Sequence, residues 1–255
     1  MGESKRKRGI KDVGKKGILY VIATPIGNLM DITIRAINIL KEIDIIAAED
    51  TRKIAALLKP LNISHPLTSY FEHNEARKIP LIIKQLEEGK KVALMVTAGT
   101  PTISDPGYRL IKEAISKGFQ VIPIPGPSAA IAALSVSGLP SDSFIFQGFI
   151  PRKGKKRDEM LNELSKQKRT IILYESPYRI KKTLKDLYEV FGDRDTVIAR
   201  EMTKPHEEFI RGTLKSILER IDEVTIKGEF TGFQKRRKAD IKFLMFFILY
   251  KISIN

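Results

Sequence analysis

The chain of 255 residues has no cysteine and no tryptophan, and only three histidines, His65, His73 and His206. Without cysteine there is no disulfide, thiolate nucleophile, iron–sulfur cluster or thiolate-ligated zinc. Three widely spaced histidines make a poor metal site, so a metal-free protein is expected. Long apolar runs are lacking too. Residues 18–23 are too short for the core of a secretion signal, and 243–250 (FLMFFILY) fall short of the ~20 residues that span a bilayer. The expectation is a cytoplasmic protein with no membrane attachment, in which the sequon Asn62-Ile63-Ser64 is incidental. No G-x-G-x-x-G follows a strand, so a dinucleotide site has no support. Residues 9–16 (GIKDVGKK) approach Walker A spacing, but they end in lysine where Ser or Thr must hold magnesium and they precede the first strand.

What is abundant is positive charge. Lys and Arg number 45 against 30 Asp and Glu, a formal net charge of +15. Three clusters carry that excess: residues 1–17, 152–169 and 231–255 each have a net charge of +5, while the rest is neutral, with 24 basic and 24 acidic residues. Clustered cations mark a polyanion partner, whereas evenly spread ones only aid solubility. The internal run, with Arg152, Lys153, Lys155, Lys156 and Arg157, opens a helical pattern and suits phosphate contact. The composition, 42% apolar and 29% charged, is that of a globular protein.

Short apolar runs at 18–23, 44–48, 92–96 and 120–124 alternate with helical patterns such as 32–43 and 74–88. This alternation implies a mostly parallel sheet with helices on both faces. Residues 129–137 read as a helix of small side chains that must be closely packed. A second series follows the turn cluster at 138–141, with strands at 144–149, 170–174 and 196–199 and helices at 155–167 and 178–190. The fold class is α/β, with a basic N-terminal tail at 1–17, one α/β domain at 18–138, a second at 139–230 and an atypical tail at 231–255.

In open α/β sheets, ligands sit beyond the carboxyl ends of the strands. Three loops there are rich in Gly, Pro and hydroxyl residues: Thr24-Pro25-Ile26-Gly27-Asn28, Ala98-Gly99-Thr100-Pro101 continuing through Ser104-Asp105-Pro106-Gly107, and Pro125-Gly126-Pro127-Ser128. Together they suggest a small polar ligand gripped mainly by backbone. Acidic and basic residues at other strand ends form a second group: Glu49-Asp50-Thr51-Arg52, Glu72-His73-Asn74-Glu75, Glu175-Ser176 and Arg200-Glu201. Capping alone would explain Asp50 or Glu75, but not Arg52.

The segments LYVIATPIGNLMDITIRA, AAEDTR, SYFEHNE, AGTPTISDPGYRL, PIPGPSA, SGLPSDSFIFQGF, ESPYRI and REMTKPHEE, in this order over about 18–230, resemble the ribosomal RNA small subunit methyltransferase I family, the RNA-modifying branch of the tetrapyrrole methylase fold. The resemblance implies two α/β domains, a homodimer, and S-adenosylmethionine in the interdomain cleft. It also implies 2′-O-methylation of a cytidine in the decoding region of 16S rRNA within the 30S ribosomal subunit. Carried over, the cofactor meets Thr24, Pro25, Gly27, Asn28, Ala98, Gly99, Thr100, Pro101, Pro125, Gly126, Pro127 and Ser128, with Phe149, Glu175 and Ser176 closing over it. Asp50 or Glu75 is the candidate for orienting or deprotonating the ribose hydroxyl. Arg52 and the basic run at 152–157 are the candidates for holding phosphates. The competing readings are a tetrapyrrole methylase and a catalytically impaired RNA-binding relative. Two departures stand out. The family reads Ser-Asp before Ala-Gly-Thr-Pro where this chain has Val96-Thr97. After Glu229-Phe230 the sequence turns to unrelated composition, so the last strand of the second sheet has to come from 243–250 or leave an open edge.

Overall fold

A computed structural model describes residues 16–221 and two further strands, 230–233 and 246–247. The basic N-terminal cluster, apart from its last two residues, and most of the C-terminal one lie outside the described residues. In the first half, β1 (Ile18–Ile22), β2 (Ile45–Ala48), β3 (Leu67–Ser69), β4 (Lys91–Met95) and β5 (Gln120–Ile124) join in the order β3-β2-β4-β1-β5, every pairing parallel. Aliphatic runs such as KVALM suit strands that are covered on both faces. One face packs Tyr20, Ile22, Ile46 and Met95 against α1 (Ile34–Leu40) and α2 (Thr51–Leu58). The other packs Leu19, Ala47, Val92 and Leu94 against α3 (Glu75–Glu87) and α4 (Tyr108–Ser116). All five strands point the same way, so the loops after β1, β4 and β5 meet at one edge.

The small-residue helix α5 (Ala129–Ser137) is packed as closely as its composition requires. Ala129, Ala130, Ala133 and Leu134 are buried with Ile26 from the first half and with Ile172, Tyr174, Val197 and Ala199 of a second sheet. That sheet is built from β6 (Phe144–Phe149), β7 (Thr170–Tyr174), β8 (Asp195–Arg200), β9 (Glu208–Thr213), β10 (Phe230–Phe233) and β11 (Phe246–Phe247), in the order β6-β7-β11-β10-β8-β9. Its opposite face is covered by α6 (Lys155–Ser165), α7 (Ile180–Phe191) and α8 (Leu214–Arg220).

The parallel arrangement expected from the alternation holds for the first sheet only. In the second, β7 is parallel to β6 and β11, while β10 is antiparallel to β11 and β8, and β8 to β9. The strand sought in 243–250 is the two-residue β11, which lies inside the sheet and not at its edge.

Ala133 is fully buried in the layer that joins α5 to both halves. Ala133→Leu inserts three carbons where nothing can yield cheaply, and urea denaturation should show a loss of about 1–3 kcal/mol.

Candidate active site

Three loops at the carboxyl edge of the first sheet are tied to one another by named bonds. Thr24 and Gly99 exchange backbone hydrogen bonds of 2.9 and 3.0 Å. The buried Thr24 hydroxyl donates to the Val96 carbonyl at 3.0 Å and lies 3.4 Å from that of Gly99. Thr100 Oγ1 donates to the Pro127 carbonyl at 3.1 Å, which joins the loop after β4 to the loop after β5. Pro25 and Pro101 are buried beneath this junction, while Asn28 caps the turn that follows β1 by accepting from the Met30 amide at 3.0 Å.

A cavity opens where these loops face the second sheet, lined by Ile26, Ala98, Gly99, Thr100, Ile103, Asp105, Ser128, Ala129 and Tyr174. The residues expected to hold the cofactor thus divide. Ala98, Gly99, Thr100 and Ser128 form the wall, whereas Thr24, Pro25, Pro101 and Pro127 brace it. Gly27, Asn28, Pro125 and Gly126 lie along the exposed outer rim. Phe149 is half-exposed and stands edge-on to the Tyr174 ring, with centroids 5.5 Å apart.

Glu175 differs from expectation. Its carboxylate is fully buried away from the cavity wall, accepting from Thr183 Oγ1 at 2.7 Å and the Ser176 amide at 2.8 Å and pairing with Arg179 at 3.2 Å. Arg179 in turn donates to the Ile150 carbonyl at 2.8 Å. Glu175 and Ser176 therefore hold the end of β7 to the loop after β6. Tyr174 lines the cavity, and in the sequence it is one apolar strand position among several.

The residues fit a nucleoside-type methyl donor by chemistry. The wall joins apolar side chains that suit an aromatic base, Ile26, Ala98, Ile103 and Ala129, to the hydroxyls of Thr100, Ser128 and Tyr174, the Asp105 carboxyl and backbone amides at the start of α5. Gly99 has a φ of +84°, and a Cβ there would project towards Ile26 (3.6 Å) and the Pro127 carbonyl (3.9 Å), into the space the loops enclose. That space measures about 10 Å³, whereas small-molecule sites run from roughly 300 to 1,000 Å³. A donor must part these walls to enter. The segments facing the cleft carry left-handed non-glycine backbone at Thr102, Ser104, Glu201 and Thr203, with φ of 75°, 63°, 48° and 67°. Such conformations cost of order 1–3 kcal/mol each and concentrate at functional sites. Gly27 lies close under the second of these segments, where a Cβ would stand 2.8 Å from the Met202 carbonyl.

The two candidate carboxylates are already engaged. Asp50 caps α2, accepting from the Arg52 and Lys53 amides at 3.0 and 3.4 Å, and Arg52 Nη2 lies 3.5 Å away. Burial pushes this carboxyl up, but the Arg52 and Lys53 contacts outweigh it and hold it below the usual range. Glu75 is buried at the start of α3, accepting from Tyr70 Oη at 2.7 Å and the Gly107 amide at 3.4 Å, with Arg109 Nε at 3.5 Å. Burial and the Glu75 carboxylate push the Tyr70 hydroxyl pKa well up, so Tyr70 stays a donor. Among the described residues, Asp105 is different. It is half-buried and accepts no hydrogen bond, and burial together with the neighbouring Glu49 charge pushes its pKa up to about 7. Glu49 itself accepts from the Thr97 amide at 2.9 Å. In the sequence, Asp105 read only as part of a Gly/Pro loop.

Of the basic candidates, Arg52, Arg152, Lys153, Lys155 and Lys156 are exposed. Lys155 and Lys156 open α6, where the helix dipole disfavours cations, so the sequence has placed them against local preference. Arg157 departs from expectation. It is 4% exposed, is paired with Asp186 at 2.6 Å, and donates to the Pro151 carbonyl at 2.8 Å and Thr183 Oγ1 at 3.1 Å. It is therefore closed to phosphate. Among the described residues no His/Asp/Glu cluster could hold a metal ion, and no helix is long and apolar enough to cross a membrane.

A five-stranded parallel sheet whose loop edge faces a mixed second sheet defines a class. The chain belongs to the Tetrapyrrole (Corrin/Porphyrin) Methylases, whose family model matches residues 18–218. Solved structures with this fold include uroporphyrin III C-methyl transferase from Thermus thermophilus, at 18% identity and a TM-score of 0.61 over 86% of this chain and 98% of that one. Cobalt precorrin-4 methyltransferase gives 19% identity and a TM-score of 0.62 over 86% and 94%. The sequence relatives narrow the class to one branch. Ribosomal RNA small subunit methyltransferase I of Halalkalibacterium halodurans is 53% identical over 84% of this chain and 74% of its own length. The protein of that name from Thermotoga maritima is 48% identical over 84% and 96%. The chain is accordingly a methyltransferase.

Arg157→Ala removes the buried partner of Asp186, which keeps Lys182 at 3.2 Å, and should lower stability by about 1.5–3 kcal/mol in urea denaturation. Lys155→Ala and Lys156→Ala, both at exposed sites, should stay within about 0.5 kcal/mol of the parent.

Proposed function

We propose that the protein transfers a methyl group from S-adenosylmethionine to the ribose 2′-oxygen of a cytidine in the decoding region of 16S rRNA, acting on the 30S subunit in the cytoplasm as a homodimer. The observation that carries the reading is the junction of three backbone loops at Thr24, Gly99 and Pro127, in a chain about half identical to methyltransferases named for small-subunit ribosomal RNA. Residues 18–138 and 139–230 would act as the two domains, with the donor between them. When bound, the donor supplies a methyl group on a sulfonium centre, activated without further help from the protein. The residues of the chain then have to position it. Ile26, Ala98 and Ala129 provide an apolar wall, Thr100 and Ser128 provide hydroxyls, and the start of α5 offers amides and a positive dipole end to a carboxylate.

An in-line displacement gains most from alignment of the reacting atoms, and the bonds among Thr24, Gly99, Thr100 and Pro127 supply a fixed platform for it. On the acceptor side, Arg52 and the exposed cations of 152–156 are suited to RNA phosphates, whose neutralisation releases counterions.

The test is tritiated methyl transfer to 30S subunits from a strain lacking the modification. Label in a 16S cytidine 2′-O-methyl group is the expected result, and label on a tetrapyrrole alone rejects the reading. A Cβ at Gly99 would project into the space the loops enclose, so for Gly99→Ala calorimetry should show donor affinity lower by about tenfold. Replacing Arg152, Lys153, Lys155 and Lys156 together by glutamine should weaken 30S binding and reduce its salt slope by about 3, at about 0.7 per lost contact to single-stranded RNA.

A further inference from the structure

Beside the donor cavity lies a second and more polar one of about 310 Å³, lined by Glu72, Glu75, Ser104, Asp105, Pro106, Gly107, Tyr108 and Arg109. Asp105 is the residue common to both linings and so forms the partition between them. At the mouth of the second cavity, Tyr108 is 67% exposed, which is unusual for an aromatic ring at a helix start, and the Arg109 side chain is 69% exposed although its Nε pairs with Glu75. An exposed aromatic next to an exposed guanidinium is the combination that holds an unpaired nucleotide, the ring stacking on the base and the cation meeting a phosphate.

Of the other acids around this partition, Glu72 is exposed and lines only the second cavity, and the rest are committed. Glu49 accepts the Thr97 amide, Glu75 accepts Tyr70 and Gly107 and pairs with Arg109, and Asp50 caps α2. The Tyr174 hydroxyl, on the donor side, is pushed up by burial and by Asp105 and stays protonated. Asp105 alone combines a place in both linings with a carboxyl that accepts no hydrogen bond among the described residues.

We propose that the pocket between Glu72 and Arg109 receives the acceptor nucleotide, with Tyr108 stacking on its base, and that Asp105 takes the proton from the acceptor hydroxyl. This rests on the methyl-transfer reading above and deepens it. In the step, an oxygen lone pair forms the O–CH₃ bond, the S–CH₃ bond breaks with its electron pair going to sulfur, and the hydroxyl proton passes to the Asp105 carboxylate. The raised pKa suits this role, because a base works best when its pKa lies near the operating pH. The groups facing Asp105 are Glu49 just after β2, Glu72 in the turn before α3, Glu75 at the start of α3, Tyr108 and Arg109 on α4, and Tyr174 on β7. Of these, Glu49 is the charge that helps to raise it.

The experiment compares the wild type with Asp105→Asn and Tyr108→Ala. Wild-type kcat/KM on 30S subunits should rise through a midpoint near 7, and Asp105→Asn should lower it by about 100-fold or more. Tyr108→Ala should raise KM by roughly 5-fold or more with kcat little changed, since stacking is worth about 1–3 kcal/mol per base. Independently of turnover, carboxyl ¹³C NMR of the wild type without ligand should show one aspartate titrating near 7, absent from Asp105→Asn. If wild-type protein leaves 30S subunits unlabelled, the function itself falls. If the wild type is active, a flat wild-type pH profile, an Asp105→Asn variant as fast as the parent, or an Asp105 carboxyl titrating in the ordinary range overturns the role of Asp105. Should Asp105→Asn fail to fold, the wild-type profile and NMR titration decide. A Tyr108→Ala variant with unchanged KM overturns the acceptor pocket.

Discussion

The bond from Thr24 to the strand-end loop after β4 is the constraint on which the rest of the site depends. It satisfies a fully buried hydroxyl and, with the paired amides of Thr24 and Gly99, closes a bridge between backbones that belong to no common strand. Loops at a sheet edge are ordinarily the mobile part of a fold. Here the loop after β1 is joined to that after β4, and the latter is joined through Thr100 to the loop after β5. Since unsatisfied buried polar groups are costly, breaking one of these bonds exposes the platform to the loss of the others. Rigidity is thus concentrated where alignment matters.

Beyond the tied residues, in the outer part of the loop after β4 and in the segment after β8, the construction is reversed. The segments containing Thr102, Ser104, Glu201 and Thr203 hold strained backbone, and Thr203 Oγ1 is buried without a partner. A site that combines tied and strained segments can give way at the strained ones alone, which suits a cleft too narrow for a nucleoside at rest. Asp105 sits in a strained segment, so entry of a donor also changes the surroundings of the carboxyl proposed to accept the proton.

Much of this was legible in the residues. Four of the five parallel strands of the first sheet followed from alternating apolar runs and helical periods, and the close packing of α5 followed from its alanines. The three loops tied together at the carboxyl edge stood out through their Gly, Pro and hydroxyl residues at strand ends. What the residues could not reveal was partnership. Arg157 sits within a run of solvated cations, yet Asp186 and Thr183, almost thirty positions away, draw it inward. Glu175 looked like a cleft residue until Thr183 and Arg179 claimed its oxygens. Asp105 was hidden for the opposite reason. Its distinction is the lack of a hydrogen-bond donor and the nearness of Glu49, and neither has a signature in spacing. The mixed second sheet was equally out of reach, because its central strands come from the atypical C-terminal segment.

That strand order bears on how the molecule is made. A chain leaving the ribosome presents β6 with β7, and then β8 with β9, as two separate pairs, since the strands that lie between them, β10 and β11, are synthesised later. Domains ordinarily fold as units in order of synthesis, and the first sheet has all its strands by residue 124. The second has to wait with a gap at its centre until residues 230–247 emerge. The platform loops are therefore in place before the half of the molecule that faces them, and the cleft between the halves is the last feature of the nascent chain to form.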